Sequence, residues 1–378
     1  MPQELLVIDA DAHVEESPAT FADPYLDPAF RERRPRVVAL DDQRAVWVID
    51  DRLFPQRVGK GAHTFATPAA VGERPTALTA RKPDPLPSIT LADVAARLRQ
   101  MDAEQLDIQV IYPTLFLAYP LTDDPALYRA LCRAYNSWIA EICRQRPDRL
   151  KWACVVPLDD VAGAVQELRR CRHELGASAV VILGTAGDRK LDDPALDPFY
   201  ATCTELDLPV AVHVGWSSPS LGRIYDNVYD AITLPFVFSL FTGFTDILTG
   251  GVLDRHPRLR VAFLEAGCQW VPFLLDRLEH YYAVAVERGR WNYDARERPS
   301  AYLARGNVFL SAEVEEALLP YCFQRWGADK FLFASDMPHG DREYGAVAEL
   351  LERPDLDAAA KRAFLADNAC RFYGWSRA

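Results

Sequence analysis

Short apolar, β-branched runs recur along the chain at 5–11 (LLVIDAD), 108–114 (IQVIYPT), 152–158 (WACVVPL), 179–184 (AVVILG), 209–215 (PVAVHVG), 259–265 (LRVAFLE), 307–312 (NVFLSA) and 330–336 (KFLFASD). They lack clean apolar–polar alternation, which is the pattern of strands covered on both faces in a parallel sheet. Segments of helical period lie between them. LADVAARLRQMDAEQLD precedes the second run and DPALYRALCRAYNSWIAEICRQR the third; DVAGAVQELRRCRHEL, DPALDPFYATCTELD, DAITLPFVFSLFTGFTDILTGGVLD, WVPFLLDRLEHYYAVAVER and EEALLPYCFQRWG follow. Alternating β and α elements with no Gly-rich phosphate turn after the first run predict an α/β fold, a (β/α)8 TIM barrel, rather than a doubly wound sheet.

One stretch interrupts the rhythm. Residues 16–90, rich in proline, fall between the first run and the first barrel helix, and within them RVVAL and RAVWVID flank DDQ as a β-hairpin would. An insertion after the first strand emerges on the C-terminal face, where such barrels build active sites. It is read as a lid on a substrate pocket or as decoration or a dimer contact, within one barrel domain spanning 1–378.

The 378 residues suffice for one barrel with insertions. Lys plus Arg number 42 against 54 Asp plus Glu, a formal charge of −12, which excludes a protein that tracks nucleic-acid phosphates. The eight cysteines contain no CxxC pair and read as buried small hydrophobes in a reducing, cytoplasmic setting. No signal segment is read at the N-terminus, and apolar runs are broken by charge or proline, so no membrane association is expected. The segment AITLPFVFSLFTGFTDILTGG is nevertheless unusually apolar for a barrel exterior, and calls for a neighbouring helix, the insertion or a second subunit to cover it.

Ionisable residues gather where the runs stop: Asp9, Asp11 and His13 at the first, His213 at the fifth, Glu265 at the sixth, Glu313 at the seventh and Asp336 at the eighth. Residues two apart in a strand face the same way, so Asp11 and His13 can point together into the barrel mouth. A lone strand histidine is often a satisfied core residue and a lone terminal Asp a helix cap. Imidazole and carboxylate converging from several strands instead make a site for Zn2+ or Mn2+. His339, Asp341 and Glu16 are candidates to orient these groups. Tyr112, Thr114 and Trp216 are candidate pocket-lining residues, and His63 in the KGAHTF loop is an outlier within the insertion. His173, His256 and His280 lie in helix or turn contexts that suit packing or solvent.

IDADAHVEES, the His213 strand, FLEAGCQWVPFLLDRLEHYY and FASDMPHGD resemble the amidohydrolase-related metal-dependent family of the amidohydrolase superfamily, the branch with aminocarboxymuconate semialdehyde decarboxylase and γ-resorcylate decarboxylase. LRQMDAEQLDIQVIYPT and FLADNACRFYGW extend the likeness over nearly the whole chain. The resemblance implies a distorted barrel with one divalent ion, Zn2+ ahead of Mn2+, held by Asp11, His13, His213 and Asp336. The fourth run has no Lys, consistent with one metal rather than two. The resemblance further implies hydrolysis or non-oxidative decarboxylation of a small cyclic or aromatic carboxylic acid, in a homodimer, and Asp336, His213, Glu265 and His339 are the candidate catalytic residues on the rim. Glu265 stands where the two named decarboxylases carry a histidine, so that histidine's role does not transfer. The alternative is a metal-free barrel that binds a small ligand without turnover.

Overall fold

Eight parallel strands form one sheet in chain order: β1 (Ile8–Val14), β2 (Ile108–Pro113), β3 (Leu150–Val155), β4 (Ala179–Leu183), β5 (Val210–His213), β6 (Val261–Leu264), β7 (Val308–Ala312) and β8 (Phe331–Phe333). This computed structural model describes residues 5–54, 67–222, 225, 227–340 and 342–376, so His63 and Asp341 lie outside the described residues. All eight predicted runs become strands because their side chains are buried on both faces, as at Val180, Val212, Leu264 and Leu310.

Several runs shift by a few residues from their expected limits, and the first and eighth shift where the barrel closes. The first strand starts three residues late, because β1 pairs with β2 from Ile8 opposite Ile108 onward, while Leu5 and Leu6 pack half-buried against the core. The eighth ends at Phe333, after which the chain closes the barrel irregularly: Asp336 N donates to Asp11 O at 3.0 Å and His13 N to Met337 O at 2.6 Å.

Helices α1 (Val94–Ala103), α2 (Pro125–Cys143), α3 (Val161–Arg170), α4 (Asp197–Glu205), α5 (Val237–Thr249), α6 (Val271–Tyr282), α7 (Leu319–Trp326) and α8 (Ala346–Glu352) lie between and after the strands. Their starts are written in the sequence: Asp93, Asp124 and Asp160 each accept a backbone N–H of the first turn, and Pro125 occupies a position where no N–H is needed. Residues Tyr229–Thr249 are long and apolar enough to cross a membrane by length and composition, with mean hydropathy 1.6, yet 56% of that window is buried against the protein. Gly184 lets α5 approach the end of β4, since a Cβ there would fall inside the carbonyl of Ser239.

The hairpin within the insertion is present, Arg36–Ala39 pairing antiparallel with Ala45–Ile49. A third strand, Arg52–Phe54, joins it through a turn in which Asp50 and Asp51 both have positive φ, 52° and 57°. Two consecutive left-handed residues are the tight hairpin geometry usually announced by Asn-Gly or Asp-Gly, so Asp-Asp hid this turn.

Candidate metal centre

The site lies at the C-terminal ends of the strands. A bulge between Asp9 and Ala12 places one extra residue on β1 relative to β2. The bulge re-aims side chains locally, and Asp11 and His13 meet at 3.4 Å. His213 closes β5, Glu265 directly follows β6 and Asp336 lies three residues beyond β8. Glu265 and Asp336 have φ of 63° and 53°. A left-handed L-residue costs roughly 1–2 kcal/mol, and such strain concentrates at functional sites.

The two strand histidines point ring nitrogens at each other. His13 Nδ1 donates to Pro113 O at 3.0 Å and His213 Nδ1 to Val214 O at 2.9 Å, because a carbonyl can only accept. Their Nε2 atoms are therefore turned inward, 3.2 Å apart. Around them stand Asp11 at 3.4 Å from both, Glu265 at 3.5 and 3.1 Å, and Asp336 at 3.5 Å from His13. Two neutral imidazoles in this pose would oppose lone pair to lone pair, so the geometry calls for positive charge between them, from a proton or a metal ion. Both oxygens of Asp11 and Oε2 of Glu265 are buried without a hydrogen bond among the described residues, which is the state of ligands awaiting an ion.

Charge shifts express the same demand. Burial would lower the histidines, but the surrounding carboxylates, Asp11 and Glu265 foremost, push His13 and His213 up to about 10. Burial would raise Asp11 and Glu265, but His213 and His13 hold both carboxylates below their usual range. The same concentration of carboxylate charge that favours the protonated imidazoles would hold a divalent ion. The ligating atoms form two overlapping sets, each within 4.8 Å: Asp11, His13, His213 and Glu265, and then His13, Glu265, Asp336 and His339. Glu265 belongs to both, whereas Asp336, expected beside Asp11 and His213, belongs to the second.

His339 comes in from the loop after β8. Its Nδ1 meets Asp336 at 2.7 Å, its Nε2 meets Thr114 Oγ1 at 2.9 Å, and its ring stacks on His13 with centroids 4.1 Å apart. Burial and the neighbouring His13 hold it well below the usual imidazole range, so it is neutral. Glu16 does not reach the donor atoms; its Oε2 accepts Leu115 N at 2.8 Å and Thr114 N at 3.3 Å and fixes the loop that carries Thr114. Tyr112 departs from expectation. It is fully buried beside the two imidazole rings, its hydroxyl paired with Tyr373 at 2.9 Å, and it lines neither cavity described below.

A supporting network was not anticipated. Asp9, fully buried, accepts from Ser335 N at 2.9 Å, Ser335 Oγ at 2.5 Å and Gln109 Nε2 at 2.8 Å. Arg97, also fully buried, donates to Gln109 Oε1 at 2.8 Å, His13 O at 2.9 Å and Met337 O at 3.2 Å. It thereby clamps β1 to the segment after β8. The available signal was polar Gln109 inside an apolar run.

Two cavities meet at Ile232, Phe236 and Glu265. The smaller, ≈ 260 Å³, is walled by Asp11, Glu265, Glu313, Glu315, Asp336 and Glu343 together with Arg342. Burial and the nearby Glu315 and Glu316 push Glu313 up to about 8. The larger, ≈ 500 Å³, is lined by Thr114, Trp216, Phe236 and His339 on the barrel side, and by Thr76, Arg81 and Lys82 from the insertion. Trp216 packs on Phe236 at 5.2 Å.

The profile of the amidohydrolase family matches residues 92–375. The chain is 28% identical over 251 residues to γ-resorcylate decarboxylase of Rhizobium radiobacter, covering 64% of this chain and 76% of that protein. It is 26% identical over 299 residues to 2-amino-3-carboxymuconate-6-semialdehyde decarboxylase of Dictyostelium discoideum, covering 75% and 77%. Among solved structures, an amidohydrolase of Mycobacterium avium subsp. paratuberculosis superposes with a TM-score of 0.79 at 24% identity, covering 98% of this chain and 100% of that one. The 5-carboxyvanillate decarboxylase of Novosphingobium aromaticivorans, complexed with manganese, superposes with a TM-score of 0.71 at 20% identity, covering 99% and 97%.

Proposed function

Because the chain belongs to the amidohydrolase family, in the branch whose named relatives are decarboxylases, we propose that it is a metal-dependent non-oxidative decarboxylase of a small aromatic carboxylic acid. The observation that carries this reading is the pair of inward Nε2 atoms, 3.2 Å apart, ringed by buried carboxylate oxygens. Hydrolysis, weighed almost equally on the family resemblance, ranks behind it because most of the named relatives are decarboxylases. A metal-free ligand-binding barrel would leave the opposed nitrogens and the buried carboxylates of Asp11 and Glu265 without a purpose.

Asp11, His13, His213 and Glu265 would hold the ion, with Asp336 and His339 at its side. When bound, the ion supplies positive charge that holds an anionic oxygen of the substrate and draws electron density from its ring. Asp336 delivers a proton to the ring carbon that bears the carboxylate. The bond from that carbon to the carboxylate then breaks, its electron pair returns to the ring, and CO2 leaves. His339 Nδ1, 2.7 Å from Asp336, passes its proton back to that carboxylate as Nε2 takes up another through the Thr114 hydroxyl, which is reprotonated from solvent, so the imidazole stays neutral. Thr114 and Trp216 wall the substrate space, and the insertion serves as its lid.

Three carboxylates in the donor sets weigh toward Mn2+, with Zn2+, expected first from the family resemblance, as the competitor. We also read the protein as a cytoplasmic homodimer; all eight cysteines are unpaired and buried, as a reducing compartment allows. The test is a panel of hydroxybenzoates offered to protein loaded with Mn2+ or Zn2+. Stoichiometric CO2 and decarboxylated product, dependent on the ion, are expected. Protein that takes up neither ion, or that hydrolyses amides or lactones while releasing no CO2, overturns the reading.

A further inference from the structure

We propose that Glu316, which belongs to neither donor set and lines neither cavity, is the positioning residue that holds Glu265 in place as a metal ligand. This rests on the reading of the centre as a metal site and adds what preorganises the acid it takes from the end of β6.

Glu265 lies just outside the ladder that would otherwise fix its backbone. It follows β6, and the turn it opens, Glu265-Ala266-Gly267-Cys268, contains two residues with positive φ, Glu265 at 63° and Gly267 at 62°. An L-residue is strained in that conformation, so the pose persists only where its surroundings impose it. Two anchors do so. At the near end, Glu265 N donates to Ser311 Oγ of β7 at 2.8 Å. At the far end, Glu316 accepts Cys268 N, at 3.0 Å through Oε1 and 2.7 Å through Oε2, and Gln269 N at 3.0 Å through Oε2. Its Oε1 also accepts Glu313 N at 2.8 Å, which ties the turn after β6 to the turn after β7.

The turn and the acid are matched in shape as well as in hydrogen bonding. A Cβ added to Gly267 would fall 2.8 Å from Glu316 Oε2, so the carboxylate occupies the room that the glycine leaves. Glu316 is buried, and both its oxygens act as acceptors of backbone N–H groups, a pattern that a carboxylate meets and an amide does not. Burying a carboxyl group is unfavourable, and here the three N–H groups it orders offset that cost. Their common effect is to draw the turn toward β7. Glu265 Oε2 is thereby kept 3.1 Å from His213 Nε2 and 3.5 Å from His13 Nε2. A ligand held in this way loses little freedom when it takes up an ion.

The test is a double-mutant cycle on Mn2+ affinity, measured by competition with a chromophoric chelator in the wild type, Glu316→Gln, Glu265→Gln and the double variant. Glutamine keeps the length of the side chain but turns an NH2 group toward N–H groups that need an acceptor. Glu316→Gln is expected to weaken Mn2+ binding about tenfold when Glu265 is present, and by less than about twofold once Glu265 is already Gln, because it acts through that carboxylate. Gly267→Ala presses on the same contact from the side of the turn and should show the same dependence on Glu265; it decides the question if Glu316→Gln does not fold. Unchanged affinity in the folded variants, or an equal loss in both backgrounds, overturns the role of Glu316 and leaves the metal centre standing. Glu265→Gln that binds Mn2+ as tightly as the wild type removes Glu265 from the ligand set, and this inference with it.

Discussion

At Glu265, burial and neighbouring charge act in opposite directions. Desolvation favours the protonated acid, yet His213 at 3.1 Å and His13 at 3.5 Å keep it ionised. The residue is therefore poised to hold a cation rather than to donate a proton, and Glu265→Gln, which keeps the shape and removes the charge, should weaken binding of Mn2+ by at least about 10-fold in competition with a chromophoric chelator. Asp336→Asn should behave differently. It removes the proton donor while Asp11, His13, His213 and Glu265 remain, so the ion should stay bound while CO2 release from the same preparation falls by about 10²–10⁴-fold. Loss of the ion in that variant would return Asp336 to the ligand set. Glu16 gives a pH signature: burial lifts its carboxyl from the ordinary 4.5 to about 8. Between those values the folded chain holds a proton that the unfolded chain has released, so this contribution to stability is present in full below about 4.5 and declines as pH rises through about 8. Urea midpoints measured from pH 5 to 9 should fall more steeply in the wild type than in Glu16→Gln, and parallel curves would refute the assignment.

Between elements, the seam that closes the barrel depends on one side chain. Arg97 donates to carbonyls on both sides of the seam, His13 O and Met337 O, and to Gln109. Arg97→Met strands all three buried acceptors and should lower unfolding stability by about 3 kcal/mol, read from urea melts, and weaken metal binding along with it. Gly184→Ala forces a Cβ into Ser239 O and should cost about 2–3 kcal/mol as α5 is lifted from β4. These contacts also show what the sequence could and could not reveal. The barrel strands were legible because runs such as AVVIL are buried on both faces, and the helix starts because Asp93, Asp124 and Asp160 announce them. Asp11, His13 and His213 were legible as strand-end donors. Glu265 was legible as an acid on the same rim, but its place in both donor sets was not, since that depends on a left-handed turn that no residue type marks. Arg97 was hidden for another reason: it lies 84 residues from His13 and 240 from Met337, and only barrel closure brings them together.

On the scale of the whole molecule, the apolar segment Tyr229–Thr249 turns only part of its surface to the barrel. Outside, Phe238 contacts Phe241, and Phe241 contacts Trp270 at 4.7 Å, so an aromatic seam runs from α5 to the start of α6. It leads toward Phe273, one turn further along α6 and 71% exposed; Tyr281, at the end of that helix, packs on Trp291, which is 56% exposed. Isolated exposed aromatics are ordinary, but apolar groups assembled on neighbouring elements mark an association surface. A net charge of −12 would keep such a surface from aggregating indiscriminately while permitting one self-complementary contact. The expected outcome is a dimer by light scattering in the wild type, converted to monomer by Phe273→Asp, because a two-fold contact presents the introduced carboxylate twice. Phe273 lies on the outer helix layer and not among the metal donors, so the variant should keep its full content of bound ion. A wild type that already runs as a monomer removes the dimer; a dimer indifferent to Phe273→Asp moves the contact to another face.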